Sequence, residues 1–376
     1  MTTIVDGQAG ITFNDASVQG TAGYTGFRNR IINGAMQIDQ RNAGASVTAT
    51  SSGIFPVDRF RTGGSSFGQT FTLQQVSDAP SGFVNSLKVT VSTAVASPGA
   101  TAESSISQLI EGYNSYDFLW GTGSAKTVTL SFWVKSSIAG TYSVALSNSD
   151  TTSYLALYTI SAANQWQYQT VTVPGSNVGV WASTNSTGVR IDWNLGSGSN
   201  YLASAGSWLV TSSGNYYIST AGTVQLVQTV NATLQITGAQ LEVGGVATAF
   251  ERRLYNVELA MCQRYYYQQS ANTPIVGQTA FFSIPFNLPV TMRTSPSVGY
   301  PYTDATFTSS GTVPSGQWGI QYVGVSAASK TGTVAFSYAT PTANSGMIYT
   351  TGATWSQTTN WLQSTNLAAV TFSAEL

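Results

Sequence analysis

In the stretch TVTLSFWVK (127–135), Val128, Leu130, Phe132 and Val134 share one face of an expected strand, so Trp133 and Lys135 fall on the other. In RIDWNLG (190–196), Ile191, Trp193 and Leu195 point inward by the same rule, and Arg190, Asp192 and Asn194 point outward. The stretch QLIEGYNSYDFLWG (108–121) adds Glu111, Tyr113, Tyr116 and Trp120. Aromatic faces beside charged and amide side chains are what a sugar ring needs: rings stack on it, and planar polar groups bond its hydroxyls. Glu111, Tyr113, Trp120, Trp133, Lys135, Arg190 and Asp192 are therefore the expected glycan-binding residues, lining one concave sheet. A rival reading packs the outward aromatics under loops or against a neighbouring subunit, and the residues alone leave both open. Trp166 and Trp193 read as core. A second aromatic set, including Tyr300, Tyr302, Trp318 and Trp355, lies among Gly, Ser and Thr near the C-terminus, the composition of an adaptable recognition surface or, equally, of contacts between neighbouring copies.

Other chemistries find little material. The chain has no histidine, which removes the usual general base of a Ser or Cys nucleophile and the commonest metal ligand. One thiol, Cys262, supports neither structural zinc nor an internal disulfide. Hydrolysis of a glycosidic bond would have to use two carboxylates roughly 5–10 Å apart. Glu103, Glu111, Asp117, Asp150 and Asp192 are the acids available, and no local motif joins two of them. SNSDTTS (147–153) offers one acid among hydroxyls, a poor calcium loop, and GTGSAK (121–126) lacks phosphate-loop spacing. The expectation is a protein that is not an enzyme and holds no metal or cofactor. A net charge of −1 gives no field for nucleic acid or an anionic membrane, and no apolar run is long enough to span a bilayer. No secretory signal pattern is visible, so the expectation is folding in a cytosol, or arrival outside by some route other than secretion.

The elements that must position these residues are strands. Only 8% of the 376 residues are charged, about a third of the usual share, and Ser, Thr, Asn and Gln replace them. Eight stretches between 86 and 244 alternate with period two or run apolar, bounded by Gly, Ser, Pro or Asn: SLKVTVST, AESSISQLIEG, KTVTLSFWVKSS, GTYSVALSN, YLALYTI, QWQYQTVTV, GVRIDWNLG and ATLQITGAQLEVG. This pattern predicts an all-β chain: a jelly-roll sandwich, then a short helix, then a second, smaller β-sandwich. The expected segments are 1–34, Gly-rich with a hairpin around Asn14-Asp15; 35–250, the jelly roll; 251–272, a connecting helix; and 273–376, the second β domain.

The helix, expected over 251–269, carries two apolar rows: Leu254, Val257, Met261 and Tyr265, then Tyr255, Leu259, Cys262 and Tyr266, with Glu258 near the middle. Two rows suit two packing partners, its own sandwich and a neighbouring copy, with Glu258 paired to an Arg. The plainer alternative is a helix capping one end of the sandwich.

GITFNDASVQGTAG followed by FRNRIINGAMQIDQRN resembles the N-terminal region of bacteriophage tail-fibre and related virion proteins. VTLSFWVKSSIAGTYSVAL with QWQYQTVTVPG resembles their jelly-roll module, which is similar to carbohydrate-binding modules. QITGAQLEVGGVATAFERRLYNVELAMCQRYY resembles the segment that closes this module. Where such fibres often have Pro-Asp-Gly at the first hairpin, this chain has Asn14-Asp15-Ala16. The resemblance implies a virion appendage assembled in the host cytoplasm, usually a homotrimer, that attaches to a host surface glycan. It further implies trimer contacts at Leu254, Val257, Glu258, Met261 and Tyr265. Anchoring to other virion proteins would use the N-terminal region, at Phe27, Arg28 and Arg30.

Overall fold

The computed structural model describes residues 27–148, 151–211, 216–269, 288–297 and 371–376 in full, and elsewhere the backbone of individual strands. Three short strands come first, β1 (Ile4–Asp6), β2 (Gly10–Thr12) and β3 (Val18–Gln19), with β2 and β3 paired antiparallel as the hairpin expectation requires. Twelve strands then build the main body: β4 (Val47–Ala49), β5 (Arg61–Ser65), β6 (Thr70–Val76), β7 (Ser86–Thr93), β8 (Glu103–Glu111), β9 (Val128–Ser136), β10 (Gly140–Ser147), β11 (Thr152–Ile160), β12 (Gln167–Val173), β13 (Thr187–Ser197), β14 (Trp208–Val210) and β15 (Thr233–Val243). They form two six-stranded antiparallel sheets, ordered β14-β11-β10-β13-β8-β5 and β12-β9-β15-β7-β6-β4. All eight expected stretches are strands. The four that pattern reading passed over are β4, β14 and the polar, Gly-bearing β5, which are edge strands, and β6, which alternates Phe71 and Leu73 with polar residues.

The sheets meet over one apolar core. Phe132 of β9 stands edge-on to Tyr158 of β11 and Trp193 of β13, at 5.1 and 5.7 Å between ring centroids. Val128, Leu130, Val134, Ile191 and Leu195 are all fully buried beside them. Tight alternation in β9 and β13 thus does what period-two patterning requires: one set of side chains fills the space between sheets.

Residues 27–38 belong to this sandwich, which corrects the expected boundary at 34/35. Arg30 N–H donates to the Leu241 carbonyl at 2.9 Å and Ala239 N–H to the Gly34 carbonyl at 3.0 Å, while Ile31 and Met36 sit in the core. The Asn29 side chain bonds the backbone of Ile31, Ala239 and Leu241, and the Gln108 amide bridges both backbone groups of Ile32. Gly34 has to be glycine here, because a Cβ would lie 2.1 Å from the Ala239 carbonyl oxygen.

The helix α1 covers Tyr255–Gln263 and is shorter than the expected 251–269. Before it, Glu251 is held in place by the backbone N–H groups of Arg28 and Asn29, at 3.1 and 2.9 Å. After it, the carbonyls of Arg264 and Tyr265 accept from Arg293 and Ala374 backbone N–H groups, which draws the chain out of the helix. The next residues form β16 (Tyr266–Gln269), paired with the C-terminal Val370–Ser373 strand, so sheet pairing overrides the helical pattern. The strands of 275–362 include β17 (Ile275–Gln278) and β18 (Phe281–Asn287), and six of them form one sheet.

The expected trimer row is largely used within the chain. Tyr265 is fully buried, Met261 packs with Leu259 and Cys262 against Ile32, Ile38 and Leu376, and Glu258 accepts from Asn33 N–H and from Arg253 at 3.3 Å. Leu254 and Tyr255 remain open, 74% and 59% exposed.

Glu111 joins this region to the sandwich. It is 1% exposed and accepts from Arg264 at 2.6 and 2.9 Å and from the Tyr265 hydroxyl at 2.8 Å. Removing a partner from a buried charge costs about 3–5 kcal/mol, whereas a partly exposed pair contributes about 1 kcal/mol or less. Arg264→Ala should therefore lower unfolding stability in urea by about 3 kcal/mol, and Asp117→Asn, which loosens the Arg30 pair, by about 1 kcal/mol or less. Equal losses in the two variants would contradict the joint.

Candidate functional site

The expected glycan residues separate into four places, not one concave sheet. Trp133 and Lys135 lie on the outer face of the β12-β9-β15-β7-β6-β4 sheet, while Arg190 and Asp192 belong to the other sheet. Arg190 and Asp192 do point away from the core, but they are covered: Asp192 is fully buried and Arg190 is 7% exposed. Arg190 bridges Glu103 at 3.0 Å and Asp192 at 2.7 Å, and the Tyr216 ring lies 4.5 Å from its guanidinium while the Tyr216 hydroxyl donates to Glu103. The covering side chains come from Tyr201, Tyr216 and Ile218, a small apolar cluster with Ala145 and Leu155. Glu111 is occupied by Arg264 and Tyr265 as described. These three charged residues hold structure and do not face solvent. Tyr300, Tyr302, Trp318 and Trp355 lie outside the described residues.

Tyr113 and Trp120 mark the fourth place, a groove at one end of the sandwich. Two single-turn 3-10 helices, Gly112–Asn114 and Tyr116–Phe118, leave β8 and carry the chain across this end. Phe118 is fully buried and anchors them, with the Arg30 guanidinium 5.5 Å from its ring. Arg30 also grips Asp117 through two bonds of 3.0 and 2.8 Å and the Asn114 carbonyl at 3.1 Å. Leu119 then adopts a left-handed backbone (φ 57°), unfavourable for a branched residue, and stands 40% exposed. Beside it Tyr116 and Tyr113 are 60% and 54% exposed.

The groove floor is aromatic. Trp120 meets Trp181 at 4.7 Å and Trp208 at 5.0 Å between centroids, both edge to face, and Trp181 and Trp208 are 5.5 Å apart. Each indole N–H is already bonded, Trp120 to the Lys126 carbonyl, Trp181 to Val178 and Trp208 to Pro174. With their donors satisfied, these rings have only their faces and edges left to offer. A cavity of about 160 Å³ lies between Ser115, Tyr116, Leu119, Trp120, Trp181 and Ser183. Sequence reading named Tyr113, Tyr116 and Trp120 but missed Leu119 and Trp181. Trp181 sits in VGVWAST, sixty residues from Trp120 in the chain, and only folding brings the two together.

Trp166, expected in the core, is half-buried at the surface: its N–H donates to Asp78 at 3.3 Å and Lys135 Nζ lies 5.2 Å from its ring. Of the expected anchoring residues, Arg28 donates to Thr248 at 3.0 Å and Arg30 holds Asp117, so both serve the sandwich; Phe27 is 61% exposed. Among the described residues no three acids or thiols gather as a metal site, and no helix is long and apolar enough to cross a membrane.

No family model and no curated protein matches the chain. Solved structures do resemble it in fold. One is the enzymatically active domain of tailspike protein 4 from bacteriophage CBA120, 13% identical, with TM-score 0.29 over 57% of this chain; the match spans only 21% of that chain's length. Another is the C-terminal family 22 carbohydrate-binding module of Clostridium thermocellum Xyn10B, 14% identical, TM-score 0.27, covering 55% of this chain and 99% of that one. A family 11 carbohydrate-binding module from Clostridium thermocellum, in complex with a mixed-linked tetrasaccharide, is 9% identical, with TM-score 0.26, and covers 54% and 98%.

The buried charges leave a signature in solution. Burial pushes the Glu103 carboxyl up to about 7 against the pull of Arg190, and the same effect takes Asp58 up to about 6. Both groups bind a proton in the folded state at pH values where the unfolded chain has lost it. Stability is therefore highest below the ordinary carboxylate range of these groups and falls as pH rises toward 7. Urea unfolding should give a higher stability at pH 5 than at pH 8, and Glu103→Gln should shrink that difference by an amount on the order of 1–3 kcal/mol. A variant with the wild-type pH profile would contradict this assignment.

Proposed function

We propose that this chain is a glycan-binding protein of a bacteriophage virion, a fibre or spike that attaches the particle to host surface polysaccharide. The observation that carries the reading is the end groove: exposed Tyr116 and Leu119 beside the Trp120 and Trp181 indoles, whose N–H donors are already bonded. Such a surface is made for stacking on a ring and is too small for an extended ligand to enter whole, since drug-sized pockets run to about 300–1,000 Å³. It suits a single sugar ring at a chain end or branch. The virion setting rests on the sequence resemblance, above all the QLEVG, AFERR and ELAMCQRYY strings in their order.

Binding is favoured over cleavage by the state of the carboxylates. Glu103 and Asp192 share Arg190, and Glu111 is held by Arg264, so each acid already has a structural task. The second reading is a virion decoration with no receptor. Assembly as a homotrimer belongs to the proposal, with the contact moved to the exposed Leu254, Tyr255 and Phe27. Attachment to the particle is assigned to the N-terminal region ahead of Phe27.

A glycan array of host-type sugars is the direct measurement. Tyr116→Ala, at an exposed position, should weaken binding about tenfold with an unchanged Tm, and Trp181→Ala should weaken it at least as much. A blank array with no host cells captured by the wild type would leave the decoration reading, and capture undiminished in Tyr116→Ala would remove the groove. Light scattering should report three copies, and Leu254→Asp should release monomers; a wild-type monomer would remove the trimer.

A further inference from the structure

The outer face of the β12-β9-β15-β7 run carries a second aromatic surface, made of residues other than those that line the groove. Trp133 and Tyr168 are direct cross-strand partners with ring centroids 5.4 Å apart, and Tyr168 is 44% exposed. Gly238 lets the aromatic rings close over the strand: a Cβ there would lie 2.7 Å from Phe83 and 3.1 Å from Trp133, so the two rings flank it. Arg252 stands 4.9 Å over the Phe83 ring, continuing the strip at that end. At the other end Lys135 lies over Trp166.

Charge on this face is one-sided. In register across three strands stand Lys135, Gln235 and Lys88, and Arg252 adds a third cation. Asp78 is the acid that meets them, through Lys135, Trp166 and Gln235. A hydrogen bond from Lys135, with Trp166 and the charge of Lys88 adding to it, holds the Asp78 carboxyl below its ordinary range. Three cations against one acid is a local excess in a chain whose net charge is −1. Gln235 offers an unpaired acceptor at the centre of this register. It is 3% exposed, its amide nitrogen reaches Asp78, and its carbonyl oxygen has no hydrogen-bond partner. A buried acceptor left unpaired costs about 1–3 kcal/mol, and a hydroxyl placed between the two lysines would satisfy it.

We propose that this face is a second glycan site, taking a polysaccharide that carries sugar carboxylates, with rings stacked on Trp133 and Tyr168 and carboxylates beside Lys88, Lys135 and Arg252. It extends the glycan reading to a different surface and does not require the end groove. Trp133 and Tyr168, tilted 50° to each other, supply two ring faces, the lysines supply the preference for acid, and Gln235 supplies a fixed acceptor for a hydroxyl.

The test is calorimetric titration of the full chain with oligogalacturonate, with its methyl ester, and with an oligosialic acid. Both carboxylated ligands binding means that any sugar acid suffices, and one alone assigns the class. The ester keeps the backbone and removes the charge, so its affinity should fall about tenfold and show little salt dependence. Tyr168→Ala should weaken acid binding about tenfold and Lys88→Gln about threefold, the latter with a flatter salt response, both with unchanged Tm. Tyr116→Ala in the groove should leave this binding intact, even if the groove proves to bind nothing. Equal affinity for acid and ester, full binding by Tyr168→Ala, or loss of acid binding in Tyr116→Ala would each overturn the second site.

Discussion

A buried carboxylate in a charge-poor chain must find a cation or a cluster of N–H donors, and this requirement ties the molecule together. Glu111, Glu251, Glu258 and Glu375 each reach a segment distant in sequence. Glu111 holds Arg264 and Tyr265; Glu251 receives the backbone of Arg28 and Asn29; Glu258 receives Asn33 and Arg253; Glu375 pairs with Arg41 and Arg59. The segment 27–41, the helix and the C-terminal residues are thereby fastened to one sandwich. An unpaired ion in such surroundings costs several kcal/mol, so the partners are obligatory once the seam is buried. The few charges the chain has are concentrated where separate segments meet.

The same seam reaches the groove. Arg30 is held through its backbone to Leu241 and through its side chain to Asp117 and Asn114, so the entry of the chain into the sandwich also fixes the turn that displays Tyr113, Tyr116 and Leu119. Left-handed Leu119 is affordable because Phe118 before it and Trp120 after it are both buried. A rigid turn carrying exposed rings has little side-chain entropy to lose on stacking, which makes it a better binding surface than a loose loop with the same residues.

The helix is instructive about reading periodicity. Its two apolar rows are present, yet Ile32, Ile38 and Leu376 of the same chain cover members of both, Met261 and Tyr265 of one and Leu259 and Cys262 of the other. A wide apolar arc specifies that cover is needed and does not specify whose. The pattern also ran six residues past the point where the chain leaves the helix, because Tyr266 and Tyr267 suit a strand as well as a helix and the strand Val370–Ser373 was there to pair with them.

Alternation by itself determined a good deal. Val128, Leu130, Phe132 and Val134, with Ile191, Trp193 and Leu195, could only be the inward set of two strands, and they are fully buried. The all-β jelly roll followed from repeating that pattern, since a period of two on β-branched residues has one physical solution. The outward set was equally legible as a direction: Trp133 and Lys135 on one strand, Arg190 and Asp192 on another. What lies over an outward residue was decided by tertiary structure alone. Tyr216 came to cover Arg190, Arg264 to cap Glu111, and Trp181 to meet Trp120 across sixty residues, because such pairings depend on loop paths and not on strand period. Local pattern fixes which way a side chain points; only the packed chain fixes whether it meets water, an ion partner or another ring.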